Sequence, residues 1–495
     1  MAIGIAASGR QDAGIATIPA VSWRGVLGLL ALALLPRLAL ALIFLRDPIG
    51  LDDMFQYDML ARSLASGNGY RWYPRQDVER MRPYLETIFG IELPVEQVPV
   101  DGYLTVHRAP GYPLLLSALY AVIGFDNRIA AARLFQVLLG ASLAPLTALL
   151  ARQLRLAAPA ARGAGVIIAA YPILWMYPLG LASENLFILL LLAGVILSLR
   201  AIENRRLGAA ILAGLLLGGA TLTRGVLAAF LPLAALVFFR RAGLRNALGL
   251  LLAALVVVLP WMVRNSLILG RPAFVENSLG YNLFIGYHPQ GDGGFFSGAA
   301  VIPLRMLDDG ERERWSMEQA LGFIRSDPAG AAGRVVRRLG FLWGQEDREL
   351  LYFYSNNLFG PIPQPWLLMA YLVLVSPLML IGSSAPFGMA LNARGRGLIL
   401  GLFVASHLVY LPILAEPRFH LPLVPYLAVY AASAWSELRL SSCLGQGLRR
   451  LEPRWVLALG AALVLLLLWV WDLWREWPTL IAIMGPEGNA LRLDY

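Results

Sequence analysis

The chain is predicted to be an all-α polytopic membrane protein, on three observations: its composition, the spacing of its apolar runs and the placement of its arginines. Of 495 residues, 58% are hydrophobic and 15% charged, and mean hydropathy is +0.63. An ordinary soluble chain carries about 25% charged residues, so a cytosolic enzyme and a disordered chain are both excluded. Apolar runs long enough for helical crossings, ~20 residues in a typical bilayer, recur along the sequence. The net charge is +9 and all 41 basic residues are arginine. These arginines punctuate the apolar runs and do not gather on one polar face, which argues for topology determinants and against nucleic-acid binding. Cys443 is the only cysteine, so neither an intramolecular disulfide nor a cysteine metal site can form. His107, His288, His407 and His420 are too scattered for a local zinc motif.

The candidate crossings are roughly 22–45, 128–151, 163–180, 184–199, 207–223, 225–239, 246–265, 366–384, 397–415, 419–437 and 455–473, about eleven in all. The first follows Arg10 and Arg24 and runs on past Pro36-Arg37, as a retained anchor does and a cleaved signal peptide does not. With the N-terminus inside, alternation puts Arg152, Arg155, Arg200, Arg205, Arg206, Arg240, Arg241, Arg394 and Arg396 on the cytoplasmic side, where acids are few. Nearly all remaining acids fall outside. The positive-inside rule then predicts N-terminus in and C-terminus out.

Two long polar stretches, 46–127 and 266–365, share the outer side. Loops of that length carry function or structure of their own. Tyr57–Ala65 and Leu114–Val122 read as short interfacial helices, and Glu311–Arg325 as a further helical run. Trp72, Tyr73, Tyr84, Tyr103, Tyr112 and Tyr120 are expected as interfacial aromatics. The long loops follow the first and seventh spans with nothing to mirror them, unlike the inverted repeats of many transporters.

Ionisable groups near membrane depth are functional candidates. Asp52 and Asp53 follow the first span in D-D-M-F-Q-Y-D; a carboxylate there either serves as a general base or is a plain loop acid. His107-Arg108 open H-R-A-P-G-Y-P, whose prolines and glycine impose a rigid entry; the cationic pair faces an anionic ligand or anchors lipid phosphate. Glu184, in S-E-N-L-F, either lines an outer cavity or caps its helix with Ser183. Arg224, in L-T-R-G, has no cytoplasmic role and suits a bidentate phosphate clamp or a snorkelling anchor. Glu416 and Arg418, in E-P-R-F-H-L-P, either join the site or pair at the surface. Arg37, mid-span after Pro36, has no partner that the sequence assigns.

These residues carry a resemblance. The acidic pair, L-A-R-S-L-A-S-G-N-G-Y, R-A-P-G-Y-P-L-L-L, S-E-N-L-F, L-T-R-G, N-L-F-I-G-Y-H-P and E-P-R-F-H-L-P-L-V-P occur in an order that resembles the C-type (GT-C) glycosyltransferase superfamily. The branch is that of bacterial polyprenyl-phosphate-sugar transferases related to protein O-mannosyltransferases and the lipid A aminoarabinose transferase. The resemblance covers roughly residues 25–435. It implies a GT-C-like fold with a transmembrane catalytic domain over 22–437, a cytoplasmic segment at 1–21, and a cytoplasmic loop, last span and periplasmic tail over 438–495. It further implies an inverting transfer at the periplasmic face of a bacterial inner membrane. The donor would be a polyprenyl-phosphate-linked sugar, the acceptor a lipid, glycan or protein, with membrane lipids as surroundings and no nucleic acid.

Residue by residue, the resemblance makes Asp53 the catalytic carboxylate four residues before Tyr57, with Asp52 as its neighbouring alternative. Arg224 and Arg418 fall on donor phosphate-binding positions, and Arg108 and His107 on a variable basic one. Glu184, Tyr57 and Glu416 line the cavity, and Asn282, Tyr287 and His288 form a loop over the donor. No cofactor is required; a divalent metal near Asp52, Asp53 or Glu184 stays open. The alternative from the same residues is a lipid-linked oligosaccharide polymerase, ligase or flippase.

Overall fold

A computed structural model describes residues 22–50, 53–89, 95–306, 308–355, 357, 360–437, 445, 449–450 and 452–491. Asp52, the segment 1–21 and most of 438–451 lie outside the described residues. Helices α1 (Trp23–Ile43), α2 (Asp53–Ala65), α3 (Arg75–Phe89), α4 (Gly111–Ile123), α5 (Arg128–Gln153), α6 (Ala158–Ala169) and α7 (Ile173–Met176) open the chain. They are followed by α8 (Glu184–Asn204), α9 (Leu207–Thr223), α10 (Phe230–Ala242), α11 (Leu244–Leu269), α12 (Leu279–Tyr287) and α13 (Ser297–Ala300). The rest are α14 (Asp309–Ser326), α15 (Pro328–Leu342), α16 (Arg348–Ser355), α17 (Gln364–Leu391), α18 (Arg396–Ile413), α19 (Val424–Ser436) and α20 (Pro453–Ile483). The described strands are β1 (Arg71–Trp72) and β2 (Tyr103–Leu104), paired antiparallel with Arg71 opposite Leu104. The protein is a helical, multi-pass membrane protein, as its composition predicts.

Among the described residues, eight helices are long and apolar enough to cross a bilayer, or nine if one bent pair counts as a span. The expected count of about eleven is therefore not reached by length and composition. All eleven apolar stretches do fall on helices. The stretch 163–180 breaks by 56° between Ala158–Ala169 and Ile173–Leu179, where Pro172 withdraws a backbone donor. The stretch 207–223 is one helix of 17 residues. The stretch 419–437 opens as a 3-10 turn, Pro417–Leu423, and continues in the 13 residues of α19.

Polar contacts sort to two ends of the bundle. At one end Arg155 pairs with Glu203 at 2.6 Å, Arg394 approaches Glu203 at 3.7 Å, and Asn392 donates to the Leu154 carbonyl at 3.1 Å. These are segments that alternation assigns to a single side. At the other end the two long polar stretches meet each other. Thr105 Oγ1 and the Val106 N–H both donate to Asp309, at 2.6 and 2.7 Å, and the Asn277 N–H donates to the Val106 carbonyl at 2.8 Å.

The expected helices within those stretches are α2, α4 and α14. The expectation of interfacial aromatics is corrected for Trp72, Tyr73, Tyr112 and Tyr120, which are buried within the protein; the Tyr84 side chain lies outside the described residues. Trp72, for instance, lies under the Arg312 guanidinium at 4.8 Å. The long stretches thus hold aromatic-rich cores of their own.

Candidate active site

The site is assembled at the end where the long stretches meet. Asp53 is the first residue of α2, where a carboxylate complements the helix dipole. Asp53, Gln56 and Tyr57 share one helical face, being three and four residues apart. Arg133 fixes the entry to that helix. Its guanidinium, buried on α5, donates to the carbonyls of Phe44 (2.6 Å), Asp47 (2.8 Å) and, across the bundle, Leu179 (2.6 Å). The connection from α1 is thereby tied to the turn that precedes α8.

Asp53 lies between two arginines. Arg108 donates to Asp53 Oδ1, and Arg418 reaches Oδ2 at 3.3 Å. Arg108 also donates to Gln56 Oε1 at 2.8 Å, which orients its fork. Arg418 donates to Glu416 at 2.6 Å, and Glu416 also pairs with Arg348 at 3.1 Å. Burial alone would push the Asp53 carboxyl up; the charges of Arg108, Arg418 and Arg224 outweigh it and hold the group at about 2. Asp53 is therefore an anion throughout the neutral range.

Beside this pair, Arg224 donates to Glu184 at 2.8 Å. Glu184 opens α8, and the hydrogen bond expected from the Ser183 side chain to that helix is absent; Ser183 Oγ instead stands 3.5 Å from the Tyr57 hydroxyl. Arg224 and Arg418 both lie over the Phe419 ring, at 5.8 and 5.7 Å. Phe419 in turn borders an apolar pocket with Phe187, Leu191, Phe230, Leu402 and Tyr410. Two cations thus stand against an aromatic ring that also borders a small apolar pocket, and their forks suit an anion.

The structure brings Asp53, Arg108, Arg418 and Glu416 into one network, with Tyr57, Arg224 and Glu184 adjoining it. It places His107, Asn282, Tyr287 and His288 elsewhere. His107 is buried between Trp72 (ring centroids 5.1 Å) and Tyr281 (5.2 Å). Burial, then Arg312 and Arg108, push its imidazole well below the usual value, so it is a neutral packing ring and no phosphate-binding cation. Asn282 donates to Ser278 at 3.3 Å, and Tyr287 to the Pro412 carbonyl at 2.9 Å beneath Arg338. His288 packs among Phe284, Phe296 and Phe323. These three belong to the packing of α12 against its neighbours and do not join the ionic network. From that helix it is Tyr281 that lies within electrostatic reach of Arg108 and Asp53.

Sequence reasoning passed over Gln56, Glu276, Tyr281 and Arg348. Gln56 was findable, since it lies one helical turn from Asp53. Glu276 and Arg348 stand in loops or helix starts far away in sequence, and only the tertiary fold delivers them. As for a metal, Asp53 and Glu184 each face guanidinium groups, and among the described residues no group of three His, Cys, Asp or Glu side chains converges. Among the described residues, which do not include Asp52, the donor set does not fit a divalent ion.

Comparison with known proteins adds the following. Residues 107–263 match the family described as dolichyl-phosphate-mannose-protein mannosyltransferase. The match begins at His107, takes in Glu184 and Arg224, and names a relative to which the motifs alone point. Among curated protein sequences none matches. Among solved structures, the chain is similar to the oligosaccharyltransferase of Archaeoglobus fulgidus in its apo form, with TM-score 0.43 and 16% identity over 95% of this chain and 60% of that one. It is likewise similar to the same organism's AglB in complex with an inhibitory peptide and a dolichol-phosphate, with TM-score 0.42, 13% identity and the same coverage. A third is ArnT from Cupriavidus metallidurans bound to undecaprenyl phosphate, with TM-score 0.40 and 15% identity over 86% of this chain and 79% of that one. The chain spans 60% of the length of each archaeal protein.

Proposed function

We propose that the protein is an inverting membrane glycosyltransferase that moves a sugar from a polyprenyl-phosphate-linked donor to a hydroxyl of a lipid, glycan or protein acceptor, at the periplasmic face of a bacterial inner membrane. The observation that carries the reading is one ionised carboxylate, Asp53, set among Arg108, Arg418 and Arg224. The family match over 107–263 supports it.

In this reading the donor phosphate takes over the guanidiniums that Asp53 now holds. The bond between the sugar C1 and the phosphate oxygen breaks as the acceptor oxygen bonds C1 from the opposite side. Charge collects on the leaving phosphate, where preorganised arginines stabilise it most strongly. The acceptor proton passes to Asp53. While Arg108 and Arg418 pair with it, Asp53 is a weak base; their transfer to the phosphate removes the charges that depress it, so basicity rises when donor is bound. Glu184 and Glu416 hold Arg224 and Arg418 in place before that exchange.

The test is direct. Full-length protein in detergent is incubated with a polyprenyl-phosphate-linked sugar and an acceptor lipid extract, and released polyprenyl phosphate is followed by mass spectrometry. Release that depends on acceptor supports the reading. Movement of intact donor across vesicles without cleavage would make the protein a flippase.

A further inference from the structure

Glu276 lies on the short connection between α11 and α12, outside every candidate span. Its Oε1 accepts the N–H of Gly225 at 3.0 Å, and its carboxylate lies against the backbone of Ala109. Gly225 directly follows Arg224, and Ala109 directly follows Arg108. One side chain therefore spans the two loops that deliver two of the three arginines.

The surrounding contacts are built for this. The neighbouring Asn277 N–H donates to Val106 at 2.8 Å, which keys the connection into the Arg108 loop. A Cβ at position 225 would stand 2.7 Å from Glu276 Oε1, so a larger residue there would push the carboxylate from its present place. The two loops also touch directly, since a Cβ at Gly111 would stand 2.6 Å from Thr223 Oγ1.

Resting on the reading of the site given under Proposed function, we propose that Glu276 is a positioning residue whose carboxylate clasps the backbone behind Arg108 and Arg224, so that both guanidiniums converge on one phosphate group. A second device acts on the same clasp. Burial raises the Glu276 carboxyl above the ordinary glutamate range, against the opposing pull of Arg108, Arg224 and the backbone of Gly225 and Ala109. Tyr70 and Tyr410 are the other titratable groups that feel its charge. It therefore takes up a proton at milder acidity than an ordinary glutamate, while Asp53 remains ionised. A neutral carboxyl is the weaker acceptor, so acidification loosens the clasp before it touches Asp53.

Amide hydrogen exchange of the detergent-solubilised full chain, read on peptides covering 106–111 and 223–227, tests the clasp without reference to catalysis. In Glu276→Ala, protection of both segments should fall by about tenfold or more, the worth of a lost charge-assisted hydrogen bond. In the wild type, both segments should lose protection together on acidification, after correction for the intrinsic pH dependence of exchange. In Glu276→Gln that acid response should vanish, which settles the matter even if the alanine variant folds poorly. Unchanged protection in the variants, or loss confined to one segment, overturns the clasp. Binding of undecaprenyl phosphate in micelles is measured alongside: reversal of the ligand's own second ionisation lowers affinity in both proteins, and wild-type affinity should fall with acid more steeply than Glu276→Gln affinity. A wild type that binds no undecaprenyl phosphate counts against the proposed function alone, and the exchange data still decide the clasp.

Discussion

Asp53 and Asp52 are adjacent, yet only Asp53 has a described environment, and that environment sets sharp expectations. Asp53→Asn keeps shape and hydrogen bonding but removes the proton acceptor, so transfer should fall by about 10²-fold or more. Donor binding should persist or tighten, because Arg108 and Arg418 no longer have a competing anion. Isothermal titration with undecaprenyl phosphate and a turnover assay check the two halves separately. The pH sign follows from the direction of the shift. With its carboxyl held at about 2, below the ordinary aspartate value of 3.8, Asp53 contributes stability that is present above pH 3.8 and lost as pH falls through about 2. Melting of Asp53→Asn should accordingly be less acid-sensitive than that of the wild type in this window. Arg224→Ala should weaken donor binding and slow turnover together, since its contact strengthens as charge develops on the phosphate. Affinity and rate both within twofold of wild type would reduce Arg224 to a head-group anchor. Arg418→Ala should be milder, because Glu416 already shares its charge.

At the scale of elements, Arg37 is instructive. It is fully buried within α1, and its guanidinium donates to Ala33 (2.8 Å), Ala169 (3.2 Å) and Ile168 (3.2 Å). Ala169 and Ile168 are the last residues of α6, just before the 56° break. The arginine is therefore a cap for a helix end that bends inside the membrane, where an unsatisfied carbonyl is costly. Replacing it by leucine should lower the melting temperature more than replacing it by glutamine, which keeps a donor; a loss of roughly 1–3 kcal/mol per orphaned group is expected. Equal melting of both variants would show that the cap is dispensable. The same element explains what the sequence could convey. The oddity of an arginine beside Pro36 is plain in the sequence, but two of its three partners, Ile168 and Ala169, lie more than a hundred residues away. Helices α2, α4 and α14 were legible because each carries a self-contained apolar period. Helix α12 was hidden among glycine, asparagine and proline signals, and the partner of its first turn, Glu313, which accepts the Gly280 N–H at 2.6 Å, lies on another helix. Likewise Asp53, Arg224 and Arg418 stood out as charges beside apolar runs, whereas His107 looked cationic until Trp72 and Tyr281 closed around it.

For the whole molecule, the polar network around Asp53 and the Arg155–Glu203–Arg394 group occupy opposite ends of the helical bundle, so one topology must serve both. Two independent signals bear on which end faces the cytoplasm. Arginine is concentrated in the segments around 152–162, 200–206 and 240–245, and arginine-rich loops stay on the cytoplasmic side. The stretch 266–365 is long and structured, as a segment translocated largely regardless of charge can be. Alkaline phosphatase needs an oxidising compartment for its disulfides, so it reports the side on which it is fused. Fusion after Ala300, on α13 in the second long stretch, should give active phosphatase. Fusion after Arg241, at the end of α10, should give none. A reversed pattern would place Asp53 and its arginines in the cytoplasm, where the lipid-linked donor of the proposed reaction would have to be presented from the opposite leaflet. Activity at both positions would mean that the run Gly225–Ala242 and α11 do not form the pair of crossings on which the alternation depends.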